Sequence, residues 1–204
     1  MKMIRNVIFD VGMVLVDFRW KEYMSDDLGF SPETVKLFGE RIVINPLWDE
    51  LDLGVRDKED IFRKMREAVP GHESEVDRFF ENIEGIVESY PYSKEWLKDL
   101  KARGYSVFLL SNYPGEFFAL HEQTKFDFLN YVDGKVVSGF ERVSKPDPEI
   151  YRRLLSRYSL KAEECIFLDD RKKNILAAKR EGMEAILFTS YEESRLALDE
   201  RLDR

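Results

Sequence analysis

The 204-residue chain has a hydrophobic content of 44%, enough for one substantial core with room for a small second domain. Its net charge of −8 and pI near 5.0 argue against a general attraction to nucleic acid or to an anionic membrane surface. The longest apolar runs, such as residues 107–110, fall far short of the roughly 20 residues that a membrane-spanning helix needs, so no membrane span is predicted.

The first predicted element is a short buried strand in the segment from Asn6 to Asp10. Its residues are mainly β-branched and aromatic, and Gly12 follows shortly afterwards. This pattern is typical of a strand that lies inside a sheet and ends in a turn. Asp10 is therefore predicted at the carboxyl end of a strand.

The next block of the chain, residues 17–88, is predicted to be helical. Apolar residues recur there at helical spacing, as in residues 61–68, and proline and glycine separate the stretches. Because this block interrupts the chain directly after the first strand, we expect an insertion above the strand ends, joined by short hinges near residues 16–19 and 87–91. Two units are predicted: a core of residues 1–16 and 89–204, and a helical insertion of residues 17–88.

Strands and helices alternate along the rest of the chain. The predicted strands are residues 106–110, 132–137, 165–168 and 185–188. The predicted helices begin after Pro91, at Asp147, and after residue 170, the last ending at Gly182. This alternation favours a parallel sheet covered by helices on both faces, so the predicted fold class is α/β.

Polar residues follow several of these strands or precede a helix. They are Asp10, Ser111, Asn112, Lys145, Asp169 and Asp170. Taken singly, each has an ordinary explanation, because aspartates cap turns and helices and Ser-Asn and Lys-Pro pairs are common in turns. In an open parallel sheet, however, ligands bind beyond the carboxyl ends of the strands. The six side chains are therefore predicted to converge on one crevice.

Such a convergence favours a cation together with an anionic ligand. Mg²⁺ commonly binds one or two protein carboxylates and a substrate phosphate, which fits Asp10 and Asp170. An aspartate such as Asp10 can also be the nucleophile that accepts a phosphoryl group. We expect Lys145 to neutralise the nucleophile and the phosphate, and Ser111 and Asn112 to donate hydrogen bonds to phosphate oxygens.

Four segments, in this order, resemble the motifs of the haloacid dehalogenase-like (HAD) hydrolases. They are Phe-Asp-Val-Gly-Met-Val-Leu at 9–15, Leu-Ser-Asn at 110–112, Ser-Lys-Pro at 144–146 and Phe-Leu-Asp-Asp at 167–170. The resemblance spans the whole chain. More narrowly, the segment from residue 9 to Asp17 is similar to bacterial α-glucose-1-phosphate phosphatases. Residues 167–174 resemble both that branch and the phosphatase domain of soluble epoxide hydrolases.

The resemblance implies a Rossmann-like core in which the helical insertion is a cap over the crevice. It also implies Mg²⁺ as the cofactor, held by Asp10, Asp170 and the backbone carbonyl of Gly12. Asp169 and Asn174 are then expected to lie next to these ligands and to position them without binding the metal themselves.

The resemblance further implies a substrate-facing loop in the cap. Trp48, Asp49 and Glu50, with Gly54 close behind, lie where this type of cap often contributes such a loop. Trp48 has a second interpretation as part of the core of the cap, and the identities of these residues do not name a substrate.

One position departs from the family pattern, which places a second aspartate two residues after the nucleophile to protonate the leaving group and later activate water. This chain has Gly12 there, so it lacks a contribution typically worth about 10²–10⁴-fold in rate. Three interpretations are open: a good leaving group such as an anomeric phosphate, a substitute carboxylate such as Asp17, or low activity. We favour the first, and for Asp17 we favour a hinge or capping role.

The sequence therefore predicts a Mg²⁺-dependent phosphatase that acts on a small phosphorylated metabolite, a sugar phosphate by resemblance, through an aspartyl phosphate. The alternatives are a non-catalytic phosphometabolite-binding protein of the same fold and, less favoured because Asp170 fits it poorly, a 2-haloacid dehalogenase. No nucleic acid or membrane partner is expected, and the oligomeric state is expected to be monomer or homodimer. The chain starts without a signal-peptide pattern, which favours the cytoplasm.

The sequence contains few other reactive side chains. Cys165 lies in an apolar run and is expected to be a small buried hydrophobe. His72 and His121 have no partner at metal-ligand spacing and are expected on the surface.

Overall fold

The computed structural model describes residues 3–202. Its β-strands are β1 (Asn6–Phe9), β2 (Val16–Phe18), β3 (Val87–Ser89), β4 (Ser106–Ser111), β5 (Gly134–Val137), β6 (Cys165–Asp169) and β7 (Glu184–Leu187). Its α-helices are α1 (Trp20–Glu22), α2 (Pro32–Phe38), α3 (Pro46–Leu53), α4 (Lys58–Ala68), α5 (Glu73–Glu81), α6 (Ser93–Ala102), α7 (Gly115–Thr124), α8 (Ser138–Glu141), α9 (Pro148–Arg157), α10 (Lys172–Arg180) and α11 (Tyr191–Leu202). Shorter π-helical segments are Tyr23–Asp27 and Gly39–Val43, and the 3₁₀ turns are Ile83–Ile86, Asp127–Tyr131 and Ala162–Glu164.

Five parallel strands form the central sheet in the order β5-β4-β1-β6-β7. The register pairs Phe9 with Leu109 of β4 and with Leu168 of β6, so the residues that follow these three strands lie along one edge. The chain adds strands on one side of β1 and then crosses to the other side, and this reversal leaves a crevice at the carboxyl end of β1. Asp10, the next residue, lies at the centre of that edge.

Side chains of the sheet alternate between two apolar clusters. In β1, Val7 and Phe9 belong to one cluster and Ile8 to the other. Both faces are covered by helices, which is why the strands are continuous apolar runs rather than alternating ones. Trp96 of α6 is fully buried and packs edge-to-face on Phe9, with ring centroids 4.9 Å apart. This contact supports the backbone directly before Asp10.

A two-stranded antiparallel ribbon joins the two ends of the helical insertion. β2 pairs with β3 so that Val16 lies opposite Ser89 and Phe18 opposite Val87. The sequence predicts hinge or helix here, because three-residue strands are too short to show a period of two. The two connections between the insertion and the sheet are therefore hydrogen-bonded to each other.

The helical insertion has an aromatic interior of its own. Phe38 and Phe79 are fully buried, with ring centroids 6.3 Å apart. The buried hydroxyl of Tyr23 donates to the carbonyl of Phe79 at 2.9 Å, which satisfies its polar end. These contacts join α2 and the π-helical segment before it to α5.

The predicted α/β class with a Rossmann-like parallel sheet is confirmed. The strands predicted at 132–137 and 185–188 are observed as β5 and β7, with bounds that differ by at most two residues. Among residues 3–202, no helix combines the length and the apolar character that crossing a bilayer requires.

Replacement of Trp96 tests how strongly this packing holds the fold. Trp96→Ala is expected to lower the free energy of unfolding by about 3–5 kcal/mol, because it opens a cavity against β1. Urea unfolding followed by circular dichroism measures the change. Leu196→Ala on α11 is the control, since that side chain is 67% exposed and its loss is expected to cost less than about 0.5 kcal/mol. Equal costs for the two variants contradict the prediction.

Candidate active site at the carboxyl edge of the sheet

A cavity of about 180 Å³ opens between the carboxyl edge of the sheet and the helical insertion. From the sheet side it is lined by Asp10, Gly12, Asn112, Lys145, Asp170 and Asn174. From the insertion it is lined by Val43, Trp48, Asp49, Asp52 and Ile86. Pockets for drug-sized molecules typically measure about 300–1,000 Å³, so this conformation suits a small ligand.

The carboxylate of Asp10 is held at one oxygen and free at the other. Its Oδ1 accepts hydrogen bonds from the backbone N–H of Val11 at 2.7 Å and the hydroxyl of Ser111 at 2.9 Å, and lies 2.8 Å from Nζ of Lys145. Among residues 3–202, no donor reaches Oδ2. Because the side chain lines the cavity, this unused oxygen is available to a ligand there.

Lys145 and Asp169 form a buried ion pair behind Asp10. The Lys145 side chain is fully buried, and its Nζ lies 2.7 Å from Oδ2 of Asp169. Asp169 also accepts hydrogen bonds from Nδ2 of Asn174 at 3.0 Å and from the backbone N–H of Arg171 at 2.7 Å. Both oxygens of Asp169 are thus occupied by nitrogen donors, so this residue positions Lys145 rather than presenting an oxygen to the cavity.

Ser111 and Asn112 are occupied within the protein. The hydroxyl hydrogen of Ser111 is given to Asp10, and Ser111 is fully buried. The side chain of Asn112 donates from Nδ2 to the carbonyl of Lys145 at 3.0 Å and accepts at Oδ1 from the N–H of Lys145 at 2.8 Å. Both residues therefore orient the charged groups in this conformation. The amide of Asn112, which lines the cavity, keeps a second N–H for a ligand.

The electrostatic balance of the site is negative. Burial raises the pKa of Asp10 to about 7, with Lys145 opposing and Asp169 adding to the increase. Burial and the charge of Asp169 also raise the pKa of Asp170. Burial alone lowers the pKa of Lys145, but Asp10 and Asp169 outweigh it and raise that pKa. For Asp169, burial acts to raise the pKa, but Lys145 outweighs it and the pKa is lowered. The ammonium of Lys145 and the guanidinium of Arg171, which lines the same cavity, carry two positive charges against these three carboxyl groups.

The donor set of the site fits a divalent cation. Carboxylate oxygens of Asp10, Asp169 and Asp170 lie within 4.8 Å of one another. Since Asp169 is saturated by nitrogen donors, the free oxygens are those of Asp10 and Asp170, and the backbone of Gly12 lines the same cavity. Oxygen donors of this kind suit a hard cation such as Mg²⁺.

Comparison with known proteins decides the family. A family model described as haloacid dehalogenase-like hydrolase matches residues 4–182. The chain belongs to the haloacid dehalogenase-like hydrolases. The prediction of an enzyme of this superfamily is confirmed, whereas the narrower resemblance to α-glucose-1-phosphate phosphatases and soluble epoxide hydrolases stays a prediction.

Several named relatives of this HAD hydrolase are phosphatases. A sesquiterpene phosphatase of Aspergillus oryzae is 26% identical over 185 residues, covering 91% of this chain and 90% of the relative. A phosphorylated carbohydrates phosphatase of Thermotoga maritima is 28% identical over 190 residues, covering 88% of this chain and 82% of the relative. A HAD family enzyme of Bacteroides thetaiotaomicron, solved with magnesium and inorganic phosphate, superimposes with a TM-score of 0.72 at 20% identity, covering 92% of this chain and 96% of that one.

The predicted substrate-facing loop of this HAD hydrolase is a helix. Trp48, Asp49 and Glu50 lie in α3, where Trp48 and Asp49 line the cavity and Glu50 pairs with Arg56 on the outside. Trp48 also contacts Phe18, with ring centroids 5.4 Å apart, so it contributes both to the interior of the insertion and to the cavity wall.

Sequence reasoning missed several residues of the cavity wall. They are Asp52, Tyr113, Phe117, His121 and Arg171. The sequence gives only a weak indication that Asp49 and Asp52 act together, because residues three apart share one face of a helix. The sequence does not reveal that this face meets the crevice. Asp17, weighed as a substitute acid, lies on β2 opposite Glu88 and is not among the described residues that line the cavity.

The prediction of a surface position for His121 is wrong, while His72 is half-buried beside Glu75. His121 is fully buried because it lies on the face of α7 that packs against Ile83. Its Nε2–H donates to the carbonyl of Ile83 at 3.2 Å, which leaves Nδ1 to accept from the hydroxyl of Tyr113 at 2.7 Å. Burial lowers the pKa of His121 to about 4, so the ring is neutral. Cys165 is buried in β6 as expected, and burial raises its pKa to about 11.

The neutral His121 makes stability depend on pH. Its ordinary pKa is 6.5 and its pKa in the folded chain is about 4. Between these values only the unfolded chain takes up the proton, so the free energy of unfolding decreases as the pH falls through this range. His121→Gln is expected to remove this part of the decrease, as measured by urea unfolding at about pH 7 and about pH 5. Equal losses of stability in variant and wild type between the two pH values contradict the prediction.

Proposed function

We propose that the chain is a Mg²⁺-dependent phosphatase that uses Asp10 as the nucleophile on a small phosphorylated metabolite. The observation that carries the proposal is the asymmetry of Asp10, whose Oδ1 is held by three donors while Oδ2 has none among residues 3–202. A nucleophile needs a fixed orientation and a carboxylate oxygen that accepts no hydrogen bond from the protein, and this arrangement supplies both.

The reaction proceeds in two displacements at phosphorus. Oδ2 of Asp10 attacks the phosphorus of the ester, the bond from phosphorus to the ester oxygen breaks, and that oxygen takes up a proton as the alcohol leaves. A water molecule then attacks the phosphorus of the aspartyl phosphate. The bond from phosphorus to Oδ2 breaks, so inorganic phosphate and the Asp10 carboxylate are regenerated.

The other residues of the site orient Asp10 and balance charge. Lys145, fixed by Asp169, places a positive charge beside Asp10 and the phosphoryl group. Ser111 holds Oδ1 of Asp10 through the hydrogen bond that its hydroxyl donates. Asp10, Asp170 and the carbonyl of Gly12 would hold Mg²⁺, which when bound offsets the negative charge of the phosphoryl group.

The proposed substrate class is a small phosphorylated metabolite such as a sugar phosphate. The cavity is small, and its wall combines aromatic side chains such as Trp48 and Phe117 with carboxylates. The Thermotoga relative is named for phosphorylated carbohydrates, which supports this choice. The same proposal includes the division into a core of residues 1–16 and 89–204 and a cap of residues 17–88.

Turnover tests the proposal directly. The wild-type protein is expected to release phosphate from sugar phosphates and from an aryl phosphate when Mg²⁺ is present and not when it is chelated. Asp10→Asn is expected to lower this release by about 10³-fold or more, because the reaction loses its nucleophile. Phosphate release is measured with a colorimetric assay.

Asp17→Asn is the matched control for that experiment. This aspartate lies seven residues further on in β2, outside the cavity lining, so its variant is expected to keep wild-type turnover. If the wild type binds a phosphate ester but releases no phosphate with any substrate, the non-catalytic alternative replaces the proposal.

A second test needs no turnover. Mg²⁺ that binds only the folded chain is expected to stabilise it by about 2.7 kcal/mol at 100 times its Kd, or roughly 5–10 °C in Tm for a chain of this size. Asp170→Asn is expected to reduce this shift strongly, because it removes one of the two free carboxylates. Differential scanning calorimetry with and without Mg²⁺ measures it, and an unchanged shift in Asp170→Asn contradicts the assignment of this ligand.

A further inference from the structure

The proposed reaction lacks an evident proton donor for the departing ester oxygen. Gly12 has no side chain, and three proton-bearing side chains of the cavity are engaged elsewhere. His121 uses both ring nitrogens, and Tyr113 gives its hydroxyl hydrogen to His121. Lys145 is held between two carboxylates. A leaving group that departs only when protonated would therefore need a donor from another part of the cavity wall.

Asp52 of α3 is a side chain in this wall without a partner. It lines the cavity from the helical insertion, opposite the sheet edge, and it is half-buried. Among residues 3–202, no group hydrogen-bonds to its carboxyl oxygens or forms an ion pair with them. Asp49, one turn earlier on the same helix, is exposed and so is less enclosed than Asp52.

The backbone at Asp52 is docked firmly on the core. The hydroxyl of Ser138 donates to the carbonyl of Asp52 and accepts from the N–H of Tyr113 at 2.9 Å, which joins α3 to the segment after β4. Gly54 ends α3 in a left-handed conformation with φ of +64°, and a Cβ there would overlap the carbonyl of Gly139. The position of Asp52 relative to the sheet edge is therefore set by direct contacts between the insertion and the core.

The surroundings of Asp52 favour its protonated form. Burial raises the pKa of Asp52 to about 8, with Asp49 adding to the increase and Arg171 opposing it. The titratable and charged groups that face it are Asp49 on α3, Asp10 after β1, Tyr113 after β4, Lys145 before α9 and Arg171 before α10. Near neutral pH the carboxyl group therefore holds a proton that it can transfer.

We propose that Asp52 is the general acid and base of the reaction, supplying from the helical insertion the proton transfer that Gly12 cannot provide. The inference rests on the proposed phosphatase function. As Oδ2 of Asp10 bonds to phosphorus and the ester bond breaks, the Asp52 carboxyl gives its proton to the departing alcohol oxygen. In the second displacement the Asp52 carboxylate takes a proton from the attacking water, which restores its acid form.

The test compares two leaving groups in one variant. Asp52→Asn keeps the shape of the side chain and removes its acidic proton. It is expected to lower kcat/KM for a sugar phosphate, which has an alkyl leaving group, by about 10²–10⁴-fold. For a dinitrophenyl phosphate, kcat/KM is expected to fall by less than about fivefold, because dinitrophenolate departs without a proton. For the aryl ester, a burst of dinitrophenol is expected, since water attack on the aspartyl phosphate becomes slow.

Two further variants separate proton transfer from folding. Asp60→Asn replaces an exposed carboxylate on α4 of the same insertion and is expected to keep wild-type values for both esters. Gly12→Asp introduced into Asp52→Asn is expected to restore sugar phosphate turnover at least about tenfold. A Cβ at Gly12 meets no atom within 4 Å, so the new carboxyl group has room.

The pH profile of the wild type provides evidence that needs no variant. Turnover of the alkyl ester is expected to decline as the pH rises through about 8, because Asp52 then loses its proton, while kcat/KM for the aryl ester does not share this decline.

The outcomes distinguish the two proposals. If the wild type shows no Asp10-dependent release from the aryl ester, the phosphatase function itself fails. If that release occurs but Asp52→Asn loses both esters equally or neither, or if Asp49→Asn instead shows the selective loss, the role of Asp52 is wrong. A selective loss of the alkyl ester, rescued by Gly12→Asp, supports it.

Discussion

The site depends on one buried ammonium group. Lys145 is fully buried and is stabilised by Asp10 at 2.8 Å and Asp169 at 2.7 Å. An unpaired charge in this environment costs several kcal/mol, so the three side chains must meet for the fold to be stable. Asp10 follows β1, Asp169 ends β6 and Lys145 precedes α9, so this requirement brings three distant parts of the chain to one point. Asn174 and the N–H of Arg171 complete the set by holding Asp169.

Even with Lys145 in place, the carboxyl groups at this edge of the sheet outnumber the positive charges. This excess of carboxyl groups favours the binding of a cation. Asp10 and Asp170 both have raised pKa values, since burial and neighbouring carboxylates disfavour their charged forms. In the function proposed above, a divalent cation held there would relieve this repulsion and offer a positive site to a phosphoryl group. The strand order places this centre at the point where the topology reverses, so the crevice remains open above it.

The helical insertion contributes what the sheet edge lacks. Its ribbon of β2 and β3 and the contact of Ser138 with Asp52 hold it against the core. In the roles proposed above, the core supplies the nucleophile and the charge, while the insertion supplies the wall of the cavity and the proton. A glycine at position 12, where the family pattern has a second aspartate, is then compatible with turnover, because the proposed proton transfer comes from a different part of the fold.

The sequence by itself determined the α/β fold and the family, because both depend on local patterns. These patterns are an apolar strand followed by Asp10, Lys145 before a helix, and an apolar strand that leads into the Asp169-Asp170 pair. Only the tertiary structure decided which of these groups are free. It showed that Ser111 and Asp169 already make hydrogen bonds within the protein, that His121 is buried, and that Asp52 lines the crevice. Periodicity predicts that a residue lies on a helix, but the partner of each helix face is set by packing between segments far apart in the chain.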